Sequence, residues 1–210
     1  MSTLAPMSAE PGAHDPVTMG QPLPVPRPGY QVVGVALPVP QPHGDFLQRK
    51  RADFNDPMAW AIPAHVTILG PTELRPTDLG EFEAHLRAVA KAFDPFRMVL
   101  RGTGTFRPVS NVVFVQLAHG QEHCARLETA TRSGPWHREL EFPYHPHVTV
   151  AHDVRPADLD RAETELADYN VAFDVADLWL FELGADGQWR PRRSFPFAHP
   201  RARHTAGSTT

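Results

Sequence analysis

Two stretches of the sequence repeat one chemical pattern, His65-Val66-Thr67-Ile68 and His147-Val148-Thr149-Val150. In each, polar and aliphatic side chains alternate with the period of a β-strand, so His and Thr share one face and the aliphatics the other. The aliphatic face can anchor to a core while the polar face stays open. An imidazole can give or take a proton near neutral pH, and a Thr hydroxyl can donate a hydrogen bond to an anionic oxygen. Brought together, the two pairs would surround one small anion with two imidazoles and two hydroxyls. The plainer account makes both histidines half-buried strand residues with no role. That account sets two polar pairs against a core, which is a costly way to build one.

The elements around the motifs must do the bringing together. Residues 30–37 alternate and carry β-branched side chains, which predicts a strand. A Pro-rich turn then leads into a helix over 45–53. The first motif lies in a strand over 60–69, ended by the breaker Gly70-Pro71. Thr77 is the expected N-cap of the next helix, with Asp78 in its acidic first turn. The apolar stripe of that helix is Leu79, Phe82, Leu86, Val89 and Phe93. Strands over 95–101 and 111–117 flank a loop at 102–108, and 121–132 reads as a helix. After the second motif, Arg155-Pro156 opens a helix with the stripe Leu159, Ala162, Leu166 and Tyr169. Strands over 171–182 and 188–197 close the fold as a hairpin through Ala185-Asp186-Gly187.

The halves correspond. Each motif is followed by a short loop, then by Arg75-Pro76-Thr77-Asp78-Leu79 or Arg155-Pro156-Ala157-Asp158-Leu159, then by a helix. His147 follows His65 by 82 residues and Arg155 follows Arg75 by 80, so only the loop changes length. A period shared by strand, motif and helix indicates an internal duplication. Duplicated lobes pack most simply about a pseudo-twofold axis. Motif strands near that axis would face each other across one cleft.

Composition narrows the setting. Residues 1–28 are rich in Pro and Gly and read as a disordered leader, residues 29–198 as a single bilobal domain, and 199–210 as a flexible tail. The leader has no basic start followed by an apolar run, and no stretch is long enough to span a bilayer. A single cysteine, Cys124, excludes an internal disulfide and a multi-Cys metal site and suits a reducing cytoplasm. Its helical context makes it core filler. A net charge of −4 argues against a broad nucleic-acid surface but leaves room for a pocket that takes one phosphate.

With the twin motifs, their separation and the duplicated pattern in view, residues 30–197 resemble the 2H phosphoesterase superfamily. Within it they resemble the 2'-5' RNA ligase and cyclic phosphodiesterase group. The run Tyr144-His145-Pro146-His147-Val148-Thr149-Val150-Ala151 and the loop Thr105-Phe106-Arg107-Pro108 both look typical of that group. The resemblance implies an α+β fold of two pseudo-twofold lobes, each an antiparallel sheet flanked by helices, with the motifs facing across a groove. It implies a monomeric phosphoesterase that uses no metal or cofactor and acts on a 2',3'-cyclic or 2'-5'-linked ribonucleotide phosphate, in a small nucleotide or at an RNA end. His65 and His147 would be catalytic, one deprotonating water and the other protonating the leaving ribose oxygen; which does which stays open. Thr67 and Thr149 would bind the nonbridging oxygens, where charge builds in the transition state. Ligation would be the same steps reversed. The alternative is a catalytically silent nucleotide- or RNA-end-binding module with the same fold.

Other residues have competing readings. Phe106 and Tyr144 could stack a base beside the cleft or simply pack. His145, His147 and His152 cluster and could in principle hold a metal, which would make a His-metal hydrolase, but only Asp153 accompanies them. Arg107, Arg192 and Arg193 could meet a phosphate tail or be solvated surface. Arg75 and Arg155, matched by the repeat, should fix the loop before each helix, and His85 should face solvent.

Overall fold

Alternating, β-branched runs and amphipathic stripes become strands and helices in a computed structural model that describes residues 26–198. The expected leader falls mostly, and the expected tail wholly, outside those residues. In chain order the elements are β1 (Gln31–Pro38), α1 (His43–Asp53), β2 (His65–Leu74), α2 (Leu79–Lys91), β3 (Phe96–Thr105) and β4 (Val112–His119). They continue with α3 (Gln121–Thr131), β5 (His147–His152), α4 (Pro156–Glu165), β6 (Asn170–Val175), β7 (Asp177–Leu183) and β8 (Trp189–Pro196). Among these helices none is long and apolar enough to cross a membrane.

The strands form two four-stranded sheets with the orders β2-β1-β7-β8 and β5-β4-β3-β6, and every pairing is antiparallel. The orders superimpose: a motif strand lies at the edge, followed inward by β1 in one sheet and β4 in the other. Helices flank both sheets, and the fold is of the mixed α+β class. One continuous apolar core runs through both lobes, joining Val33, Val66, Ile68 and Leu180 to Val113, Val148, Val150 and Phe173. A smaller cluster of Val32, Ala36, Ile62, Phe181 and Trp189 covers the other face of the first sheet.

Between the lobes the helices change sides. Helix α1, which connects β1 to β2, packs on β5, and α3, which connects β4 to β5, packs on β2. The second motif strand is thus held by a helix of the first half, and the reverse. The α2 stripe is buried as expected, with Phe82 and Leu86 fully enclosed. Each such side chain contributes roughly 1.5–3 kcal/mol of apolar burial.

Several expectations are corrected. The first motif strand begins at His65 rather than 60 and runs through Gly70-Pro71 to Leu74. Pro71 is tolerated because β2 is an edge strand. Strand β3 likewise extends through Thr105 into the segment expected as a loop. The expected strand over 171–182 is two strands, and the chain leaves one sheet for the other at Ala176, between β6 and β7. Continuous strand patterning reports pairing but not which sheet supplies the partner. Thr77 does not cap α2: it lies in a 3₁₀ turn and its hydroxyl donates to Asp78 at 3.1 Å. His85 is partly buried, with Nε2 3.0 Å from the carbonyl of Thr131, and so links α2 to the end of α3.

The repeated Arg-Pro-x-Asp segments do one job twice. Arg75 Nε donates to Asp78 at 2.8 Å and Arg155 Nε donates to Asp158 at 2.8 Å. In both lobes the guanidinium holds the carboxyl below the ordinary aspartate range. Cys124 is buried in α3, and burial pushes its thiol up to about 12.

Candidate active site

Strands β2 and β5 lie against each other, each the outer strand of its own sheet. Alternation sends Val66, Ile68, Val148 and Val150 into the core and turns His65, Thr67, His147 and Thr149 toward the interlobe face. The histidines are only 7% and 8% exposed, while both threonines are half-buried. Among the described residues neither Thr hydroxyl has a hydrogen-bond partner.

The two imidazoles are held identically. His65 Nδ1 lies 2.7 Å from the carbonyl of Pro63, and His147 Nδ1 lies 2.7 Å from the carbonyl of His145. A carbonyl only accepts, so Nδ1 carries the hydrogen in each ring and Nε2 keeps its lone pair. Among the described residues no group bonds either Nε2, so each histidine presents a proton-accepting nitrogen in a fixed orientation. Burial lowers both rings to about 4 against the pull of these hydrogen bonds. Smaller depressions come from Arg51 and His147 on His65, and from His145 and His152 on His147. The resting site therefore holds two neutral imidazoles at neutral pH.

The spaces beside them are unequal. A cavity of about 490 Å³ is bordered by His147 and Thr67 together with Phe106, Val109, Leu140, Phe142 and Tyr144. A niche of about 10 Å³ is bordered by His65 and Thr149 together with Leu47, Gln48, Arg51 and Ile62. Each histidine thus shares its space with the threonine of the other motif. One side has room for a nucleoside-sized group, and the other for about one water-sized atom.

Phe106 stands edge-on to His147, ring centroids 5.0 Å apart at 88°, and lies 4.5 Å from Phe114. Tyr144 donates from its phenol to the carbonyl of Thr67 at 2.8 Å, and burial pushes that phenol upward. Both border the large cavity. Arg107 is taken up by Asp160 at 2.7 Å and Glu163 at 2.8 Å. Arg192 pairs with Glu83 and Glu182, and Arg193 with Glu83, fastening β8 to α2. His152 is buried with Nε2 3.3 Å from Asp153. Among the described residues no three His, Cys, Asp or Glu side chains converge as a metal-binding group.

Two arginines at the site escape a reading of the sequence by motif. Arg138 borders the large cavity and donates to the carbonyl of Pro71 at 3.3 Å and to Thr72 Oγ1 at 3.2 Å. Arg51 is buried in α1, with Nε 2.6 Å from Asp56. The available signal was spacing: Arg51 follows the apolar Leu47 by one helical repeat and so lies on the buried face.

The family model described as the 2'-5' RNA ligase superfamily matches residues 38–187. A candidate phosphoesterase of Halalkalibacterium halodurans is 30% identical over 168 residues, covering 77% of this chain and 95% of that protein. In structure, Escherichia coli LigT complexed with 3'-AMP aligns over 80% of this chain and 99% of its own, at 17% identity and a TM-score of 0.57. LigT has also been seen with NADP+, at 19% identity and a TM-score of 0.53, over 80% of this chain and 98% of that one. TT0787 of Thermus thermophilus aligns over 81% of this chain and all of its own, at 23% identity and a TM-score of 0.56. At these identities the likeness is one of fold.

Proposed function

The chain belongs to the 2'-5' RNA ligase superfamily, the 2H phosphoesterases, and on that premise we propose that it hydrolyses a 2',3'-cyclic or 2'-5'-linked ribonucleotide phosphate. In this reading His65 and His147 are the general acid and base, and Thr67 and Thr149 hold the nonbridging oxygens. The observation that carries it is the matched tethering of the two rings, each with Nδ1 on the carbonyl two residues back and Nε2 free, on strands that lie side by side.

The chemistry follows from placement. In-line displacement puts the attacking and leaving oxygens on opposite sides of phosphorus, and the mechanism assigns one imidazole Nε2 to each. One imidazole takes a proton from water as its oxygen bonds to phosphorus. The other gives a proton to the ribose oxygen as its bond to phosphorus breaks. Charge that grows on the nonbridging oxygens meets the unpartnered Thr hydroxyls. Because burial leaves both rings neutral at rest, the acid must be loaded. A phosphate anion between the rings favours the protonated form of one of them. Reversal of the same steps joins a hydroxyl to a cyclic phosphate. The size of the large cavity supports a nucleoside-sized substrate, and LigT bound to 3'-AMP offers a structurally similar precedent of that size. Phe106 and Tyr144, at its border, are the aromatics that would contact a base.

The test is hydrolysis of 2',3'-cyclic AMP in the presence of chelator by wild type, His65→Ala and His147→Ala. The reading expects chelator-resistant turnover that both substitutions abolish. Turnover that survives either substitution, or is lost to the chelator, defeats it. Tight binding with no product over hours points instead to a silent nucleotide-binding module.

A further inference from the structure

Two neutral imidazoles and two hydroxyls provide no fixed positive charge, although a phosphodiester between them is an anion. A fixed cation lies at the same place. Arg51 is 5% exposed and borders the niche shared by His65 and Thr149, and its charge acts on His65. Its Nε is committed to Asp56 Oδ2 at 2.6 Å. Asp56 is itself fixed, accepting the backbone N–H of Met58 at 2.8 Å and of His152 at 3.1 Å. The carboxylate therefore anchors the guanidinium to β5, the strand that carries His147 and Thr149.

That anchoring leaves a remainder. Nη2 of Arg51 is buried and has no hydrogen-bond partner among the described residues. Guanidinium is a planar fork of five donors suited to phosphate oxygens, and a buried donor left unpaired is costly. An ion pair alone would explain Nε, not a spare donor on a side chain that borders the niche of two motif residues. The niche is about 10 Å³, enough for one oxygen atom and too small for a nucleoside.

We propose that Arg51 is a phosphate-binding residue, its Nη2 and fixed charge serving one nonbridging oxygen of a phosphate seated between His65 and Thr149. The proposal rests on reading the His pair as a phosphate site and adds its cationic member. The rest of the nucleotide then extends into the large cavity on the His147 side.

Arg51→Met alone would strand a buried carboxylate, so the test uses Arg51→Met with Asp56→Asn, and Arg51→Lys. Inorganic phosphate binding is measured by calorimetry, and 2',3'-cyclic AMP turnover by initial rates. The folded double variant is expected to lose about 10- to 100-fold in phosphate affinity and to raise KM by a similar factor. Arg51→Lys, which keeps the charge but not the fork, should recover part of that loss. Phosphate affinity and KM within twofold of wild type in the folded double variant would make Arg51 purely structural and overturn the proposal. Should the double variant not fold, unchanged phosphate affinity in Arg51→Lys overturns it and a loss of more than about fivefold supports it. A wild type that binds phosphate without turnover defeats the catalytic reading while the Arg51 comparison stands, and a wild type that binds no phosphate defeats both.

Discussion

The phenol of Tyr144 donates a 2.8 Å hydrogen bond to the backbone carbonyl of Thr67. Tyr144 lies three residues before His147, so the approach to one motif is fastened to the backbone of the other. Arg138, reaching Pro71 and Thr72 from the same segment, makes a second tie between the lobes. Relative placement of the two imidazoles depends on such ties because β2 and β5 belong to different sheets.

Tyr144→Phe removes one tie and little volume. We expect about 0.5–1.5 kcal/mol of lost stability, read from the urea midpoint, and a several-fold fall in kcat on 2',3'-cyclic AMP. A stability loss with kcat unchanged would limit the tie to folding.

Thr67→Val and Thr149→Val keep shape and remove the hydroxyls. Because neither hydroxyl has a partner among the described residues, stability should change little. Loss of a donor to the transition-state oxygens should lower kcat by about 10²- to 10³-fold. Wild-type kcat in either variant would remove that threonine from the machinery.

Gly104 makes room for the ring of Phe114, since a Cβ there would stand 2.8 Å from its Cε2. That ring packs 5.0 Å from His147 and 4.5 Å from Phe106. Gly104→Ala should therefore displace Phe114 toward the imidazole and lower kcat with a small effect on the melting temperature. Unchanged kinetics with a sharply lowered melting temperature would place the strain in the core instead.

Both histidines lie at about 4 in the folded protein, below the ordinary value near 6.5. Between those values the unfolded chain binds more protons, so stability is full above about pH 6.5 and falls as pH drops toward 4. Each ring is expected to contribute on the order of 3 kcal/mol to that fall. His65→Asn should flatten the slope of urea midpoint against pH over this window. An unchanged slope would mean that His65 is not depressed. In turnover, kcat/KM reports the free rings and should peak on the acid side, while kcat should peak higher because the bound anion raises their affinity for protons. Coincident optima would contradict this.

The sequence by itself determined the twin His-x-Thr pattern and most of the local structure. Alternation around His65 and His147 fixed which side chains share a face, and the two Arg-Pro-x-Asp segments announced matched helix starts, later seen as the Arg75–Asp78 and Arg155–Asp158 bonds. The tertiary structure decided everything that depends on distant partners. Which sheet receives each half of 171–182 is set by whether β3 or β1 and β8 offer free backbone donors, information that a strand pattern does not carry. The pairing of His147 with Thr67, and of His65 with Thr149, arises because the motif strands lie side by side at the edges of separate sheets. Arg51 enters the site because α1 crosses to the strand of the other lobe, where burial and an ion pair turn an ordinary basic run into a fixed charge. Periodicity is a property of neighbours along the chain, and a site assembled from two lobes is a property of their packing.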